Sequence, residues 1–221
     1  MINICFQIKK DKKMLKKVIC CANWALKNQS LNGSWKNFGY EYPKNPYSSM
    51  AQGEGVSLLI RAYLETQNMR YKEAAKKAVD FMLLDIKNGG TTEYNTGKIY
   101  LHEFTHLPVV LNGWIFSLFG LYDYILLTND KIVEKVYNTS IFTLEEEIYR
   151  FDNGYWSMYN FDKMITSPFY HKLHIAQLEV LYDLTGIKIF KEYAIKWKKY
   201  LNKRYNKNKA FFIKVLQKIL E

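Results

Sequence analysis

An all-α fold of paired helices, an (α/α) toroid or an incomplete one, follows from three features of this sequence. Three segments of one pattern recur, and aligning Tyr63, Tyr122 and Tyr182 spaces them by 59 and 60 residues. In each, the first half is apolar nearly all round and so needs covering on every side. The second half carries one apolar stripe and a lysine-rich face, as in Tyr71, Ala74, Ala75, Ala78 and Met82, so it belongs outside. Inner helices covered by outer ones through short polar turns make a ring or an arc.

The elements follow in order. A helix is expected at about 13–28, a degenerate fourth unit, followed by the turn signal Asn32-Gly33-Ser34. The repeated hairpins occupy 53–83, 112–142 and 173–201. Irregular linkers at 33–49, 89–108 and 153–169 each lead into the N-terminal end of an inner helix. Two of them, TTEYNTGKIYLHEF and GYWSMYNF, alternate like short strands with Gly and Asn at their bends, which predicts β-hairpins at one mouth. The expected division is a basic N-terminal helix and linker over 1–44, the paired-helix domain over 45–203, and a basic helical tail over 204–221.

Composition narrows the partners. The chain is 48% apolar and 24% charged, an ordinary globular balance that excludes a disordered chain. Its net charge of +11 favours polyanions: nucleic acid, anionic membrane or acidic polysaccharide. No nucleic-acid motif accompanies the charge, so nucleic acid is not an expected partner. The most apolar window, 111–127, contains Asn112 and Asp123 and reads as a buried core helix rather than a membrane span. The N-terminal apolar run is too short for a signal peptide, and Cys5, Cys20 and Cys21 show no metal spacing or paired count. A bacterial cytoplasmic setting with free thiols is the expectation, and a homodimer remains open.

Chemistry should sit on the linkers, because function gathers on loops held by a rigid scaffold. All four histidines fall in two linker-to-helix junctions, His102 and His106 in YLHEFTHLP and His171 and His174 in FYHKLHIAQL. His171 and His174 with His102 or Glu103 hold the right atom types for zinc, but no H-E-x-x-H spacing is present. Hydrogen-bonding roles toward a carboxylate or hydroxyl are expected instead, with no metal and no cofactor. With 18 Tyr, a given tyrosine is by default a packing residue.

Four blocks in order, YSSMAQGEGVSLLIRAYLET at 47–66, VLNGWIFSLFGLYD at 110–123, GYWSMYNFD at 154–162 and FYHKLHIAQLEVLYDLTGIKIFKEYAIKWKKYL at 169–201, carry a resemblance. Together they resemble the C-terminal domain of the D-glucuronyl C5-epimerases, the heparosan and heparan sulfate epimerases, over about residues 45–203. The resemblance implies removal of the C5 proton of a glucuronate within an acidic polysaccharide and its return from the opposite face. It implies that Tyr159 and Tyr170 transfer protons and that Glu103 is catalytic. It further implies that Gln52, Arg61, Asn112, His171 and His174 orient substrate and bind its carboxylate, although mid-helix Arg61 also suits a structural ion pair.

Two positions depart from the family pattern. Phe104 replaces a tyrosine after Glu103, and Asp162 replaces an arginine in the block containing Tyr159. The resemblance does not extend to the β-rich N-terminal region of the animal enzymes. A lyase that eliminates the 4-O substituent after the same proton abstraction is the competing enzymatic expectation. A non-catalytic acidic-glycan-binding protein is the competing expectation from another class.

Overall fold

The structure is a computed structural model that describes residues 12–220, so Cys5 and the N-terminal run read as no signal peptide lie outside it. Eight α-helices form among these residues: α1 Lys12–Asn28, α2 Ser49–Thr66, α3 Met69–Met82, α4 Leu111–Thr128, α5 Lys131–Glu147, α6 Pro168–Thr185, α7 Lys188–Asn202 and α8 Arg204–Leu220. The inner helices α2, α4 and α6 stand side by side in that order. Each is backed by its own outer helix, α3, α5 or α7, and α1 packs on α2 and α3. This is the expected paired-helix architecture, laid out as an arc.

One turn chemistry makes all three hairpins. Every inner helix is 18 residues long and ends on a threonine, Thr66, Thr128 or Thr185. Its hydroxyl donates to the carbonyl four residues back, that of Ala62, Tyr124 or Leu181, at 2.7–2.8 Å. It also accepts from the backbone N–H two residues on, at Asn68, Asp130 or Ile187. The residue between, Gln67, Asn129 or Gly186, turns left-handed with φ of 56°, 53° and 71°. Asn68 and Asp130 then cap the next helix through their side chains. Aligned on these threonines the repeat spacings are 62 and 57 residues. The middle tyrosine of the 59 and 60 alignment therefore sits three residues out of register.

The inner helices cross through small residues. A Cβ added at Gly120 of α4 would lie 2.4 Å from the Gly53 backbone of α2. The Ser49 and Ser117 hydroxyls meet at 2.8 Å across the same crossing. Such close approach lets backbones pack directly and sets N-terminal parts of α2 and α4 side by side. Indoles fill the remaining space: Trp114 on α4 and Trp197 on α7 are fully buried. The Trp114 N–H donates to Ser140 Oγ of α5 at 2.8 Å.

The two strand-like linkers fold differently. TTEYNTGKIYLHEF forms an antiparallel hairpin, β1 Thr92–Asn95 and β2 Lys98–Leu101. Its two-residue loop, Thr96-Gly97, has positive φ at both positions, which matches the twist of the flanking strands. GYWSMYNF forms no regular hairpin. It is extended and held by single bridges, Asp152 to Ser157, Met158 to Ile165 and Asn160 to Val110. The turn at Asn160–Lys163 and the early start of α6 at Pro168 leave too few residues for a full partner strand. No helix among the described residues is long and apolar enough to cross a membrane.

Candidate active site

The extended linker delivers Tyr159 because its side chains alternate. Trp156 and Met158 pack outward against Ile165 and Ala210. Ser157 and Tyr159 face the other way, toward the N-terminal ends of the inner helices. Backbone pairing fixes that register: Leu111 N–H donates to the Tyr159 carbonyl at 3.1 Å, and Phe161 N–H donates to that of Val109 at 3.2 Å. Both clamps lie on the residues that open α4.

Glu103 is the centre of the site. It is buried, and its carboxylate accepts from the Asn112 amide at 3.2 Å and the Tyr159 hydroxyl at 3.5 Å. Burial pushes its carboxyl up to about 7, outweighing the opposing effect of these two donors. Burial first, then the negative charge of Glu103, raises the Tyr159 hydroxyl well above the ordinary tyrosine value. Tyr159 therefore holds its proton, and Glu103 is the group that changes charge near neutrality. Tyr170, in the first turn of α6 behind the Ser167 cap, sets its ring edge-to-face on Tyr159 at 5.5 Å between centroids. Gly113 makes the seat for Glu103, since a Cβ there would meet the Glu103 side chain at 2.5 Å.

A second layer holds this one. His171 is fully buried, with Nδ1 accepting from the Ser157 N–H at 3.1 Å and Nε2 bonded to the Trp197 carbonyl at 3.1 Å. These two fixed partners place its proton on Nε2. Its ring stacks on Trp156 at 3.8 Å. His174 Nδ1 bonds Ser157 Oγ at 3.2 Å. Burial lowers His171 to about 4 and His174 to about 3, so both are neutral imidazoles at physiological pH. Gln177 donates to the Asn112 carbonyl at 3.0 Å and ties α6 to α4.

Several buried polar atoms in and beside this region have no protein hydrogen-bond partner among the described residues: Gln52 Oε1, Asn112 Oδ1, Gln177 Oε1, His174 Nε2 and His102 Nδ1. Buried polar atoms are normally paired. Four of these five come from the inner helices. They are the groups a hydroxyl-rich ligand or ordered water would satisfy.

The structure thus gathers Glu103, Asn112, Tyr159 and Tyr170 directly, with His171 and His174 behind them and Gln52 on the neighbouring helix α2. It does not gather Arg61. That side chain lies about 13 Å further along α2 than Gln52, at 1.5 Å per residue, and pairs with Asp123 of α4 at 2.9 Å. His102 turns to Glu93 at 2.9 Å, and His106 packs against Tyr42 with the rings tilted at 56°. The zinc grouping of His171, His174 and His102 or Glu103 is not assembled. No cluster of three metal-binding side chains occurs among the described residues. Phe104 stacks on Phe38 at 4.5 Å, and Asp162 is exposed on the turn after Tyr159.

Ser157, Gly113 and Gln177 are site residues the sequence reading missed. Their positions in W-S-M-Y, N-G-W and H-I-A-Q were visible, but a serine, a glycine and a glutamine announce nothing until their contacts are known. A groove of about 890 Å³ runs between α1 and α2 beside the site, lined by Trp24, Trp35, Asn37, Glu54 and Leu58. Glu54 raises the Glu103 carboxyl through space, so the groove and the cluster are electrostatic neighbours.

Residues 26–199 match the family model described as D-glucuronyl C5-epimerase C-terminus. The chain is 26% identical over 205 residues to a D-glucuronyl C5-epimerase of Caenorhabditis elegans, covering 80% of this chain and 33% of that protein. It is 25% identical over 175 residues to an uncharacterised protein of Methanocaldococcus jannaschii, covering 74% of this chain and 56% of that one. The chain therefore spans about a third to a little over half the length of these relatives. With most of its residues inside the family match, this chain belongs to the D-glucuronyl C5-epimerase C-terminal family.

Proposed function

We propose that this domain epimerises D-glucuronate at C5 within an acidic polysaccharide, giving L-iduronate. The observation that carries the proposal is Glu103, a buried carboxyl poised at about 7 and bonded to the hydroxyl of Tyr159. The C5 hydrogen is α to a carboxylate, so its removal adds negative charge to an anion. A tyrosine whose proton is held so tightly is a poor free base. Coupled to ionised Glu103 it becomes an effective one. As the C5–H bond breaks, the proton goes to the Tyr159 oxygen while the Tyr159 proton moves to Glu103. Glu103 loses its charge as the sugar gains one, so the cluster keeps its net charge through the step.

Return of a proton to the opposite face falls to Tyr170. Its ring touches that of Tyr159, leaving no space for a sugar between the rings. Tyr170 is partly exposed at a helix start and swings outward to admit the pyranose. The partnerless amide oxygens of Gln52, Asn112 and Gln177 accept from sugar hydroxyls. The adjoining groove, with exposed Trp24 at its rim, takes the flanking sugars of the polymer. Arg61 holds α2 to α4 rather than binding a uronate. Arg61→Met then costs about 1 kcal/mol, as a partly exposed pair near the surface should. Thermal unfolding measures that cost, and turnover stays unchanged.

The test is incubation of glucuronate polymers, heparosan among them, in deuterated water. Epimerisation puts deuterium at C5 and produces iduronate with the chain intact. Formation of an unsaturated uronate identifies a lyase instead, and binding without exchange identifies a glycan-binding protein. The two tyrosines separate by outcome. Tyr170→Phe still labels glucuronate at C5 but forms no iduronate. Tyr159→Phe reduces labelling by roughly 10²–10⁴-fold, the usual worth of a positioned acid–base group.

A further inference from the structure

Helix α8 has two faces that the catalytic reading does not use. It docks through Ala210 and Ile213, which pack on Trp156, Met158 and Ile165, and through Gln217, whose Oε1 accepts from the Ile165 N–H at 3.0 Å. At 100° per residue the far side of the same helix carries Tyr205, Phe212, Val215, Leu216 and Ile219. All are exposed, and Phe212, Leu216 and Ile219 remain 65%, 58% and 73% accessible. Along one flank of this stripe run Arg204, Lys207 and Lys218. The helix contains no Asp or Glu.

We propose that α8 is an interfacial anchor that lays this domain on an anionic membrane surface, with the apolar stripe in the headgroup–acyl boundary. Charge decides between the occupants of such a face. A second copy would bring two lysine rows together with no carboxylate to offset them. A soluble polyanion would satisfy the lysines and leave Phe212, Leu216 and Ile219 in water. An anionic bilayer uses both parts of the face at once, as basic amphipathic helices do at lipid interfaces. The helix lies on the membrane and does not cross it, and the overall charge of +11 adds attraction at longer range.

Vesicle flotation tests this, using the full chain with phosphatidylcholine vesicles that do or do not contain phosphatidylserine. The wild-type protein is expected to float with the anionic vesicles, to ignore the neutral ones, and to be released by raised salt. The double variant Phe212→Ser/Ile219→Ser leaves the docked face intact, so its unfolding transition should match wild type while vesicle partitioning falls at least roughly tenfold. Failure of the wild type to bind anionic vesicles overturns the proposal, as does equal binding by the double variant. A dimer seen by light scattering and abolished in that variant, without vesicle binding, assigns the face to a second copy instead.

Discussion

Glu103→Gln abolishes deuterium incorporation at C5, with a loss of roughly 10³-fold or more, because both the proton acceptor and its charge compensation disappear. The same substitution changes stability in the opposite sense. Glu103 titrates near 7 in the folded protein against 4.5 for an ordinary glutamate. A raised carboxyl favours the folded state fully below about 4.5, and that contribution is lost as pH rises through about 7. Over this window the variant therefore gains roughly 3 kcal/mol on wild type, at about 1.4 kcal/mol per tenfold difference in acidity. Denaturant titrations of both proteins at pH 5 and pH 8 measure the difference. A gap that does not widen with pH shows that Glu103 is not held in this way.

The wild-type protein itself follows a different curve, because His171 and His174 act against Glu103. Both are depressed, to about 4 and about 3, from 6.5. Their contribution is present above 6.5 and is lost as pH falls toward those values, since unfolding lets them charge. Two buried imidazoles outweigh one carboxyl. Wild-type stability is thus expected to fall below pH 6 despite the gain from Glu103.

The second large effect comes from Gly120→Ala, which should destabilise the protein by about 3 kcal/mol. Alanine improves helix propensity over glycine by about 1 kcal/mol, so packing must overcome that gain. It does, because the new methyl meets the Gly53 backbone at 2.4 Å, and backbone cannot step aside as a side chain can. Helices α2 and α4 must separate, which also moves Gln52 and Asn112. For a chain of this size the expected drop in Tm is roughly 6–12 °C. Gly154→Ala is the comparison: nothing lies within 4 Å of its added Cβ, so only the strain of φ +87° remains, about 1 kcal/mol.

The architecture was legible because it rests on periodicity. Apolar inner helices and striped outer ones can pack in few ways, and Gly and Asn mark the hairpin in TTEYNTGKIYLHEF. The register of the repeat was not legible from the tyrosines, because the turn is made by threonine hydroxyls and left-handed residues. Tyr63, Tyr122 and Tyr182 only happen to lie nearby. For the site, the alternation in GYWSMYNF marked an extended segment, but the β-hairpin expected there did not form, and Ser157 beside Tyr159 was not singled out. What it could not reveal is that His171 spends both ring nitrogens on Ser157 and Trp197, since those partners lie 14 and 26 residues away. Arg61 illustrates the converse: its residue type suits a uronate, but Asp123, 62 positions on, already holds it.

The pH dependence of C5 exchange distinguishes proton transfer through the Glu103–Tyr159 couple from abstraction by a free tyrosine. With a glucuronate polymer in deuterated water, the rate constant at low substrate should rise about tenfold per pH unit up to about 7 and then level, reporting ionisation of Glu103. Exchange absent at every pH, or a rate that keeps climbing toward the ordinary tyrosine value near 10, would contradict the Glu103–Tyr159 couple.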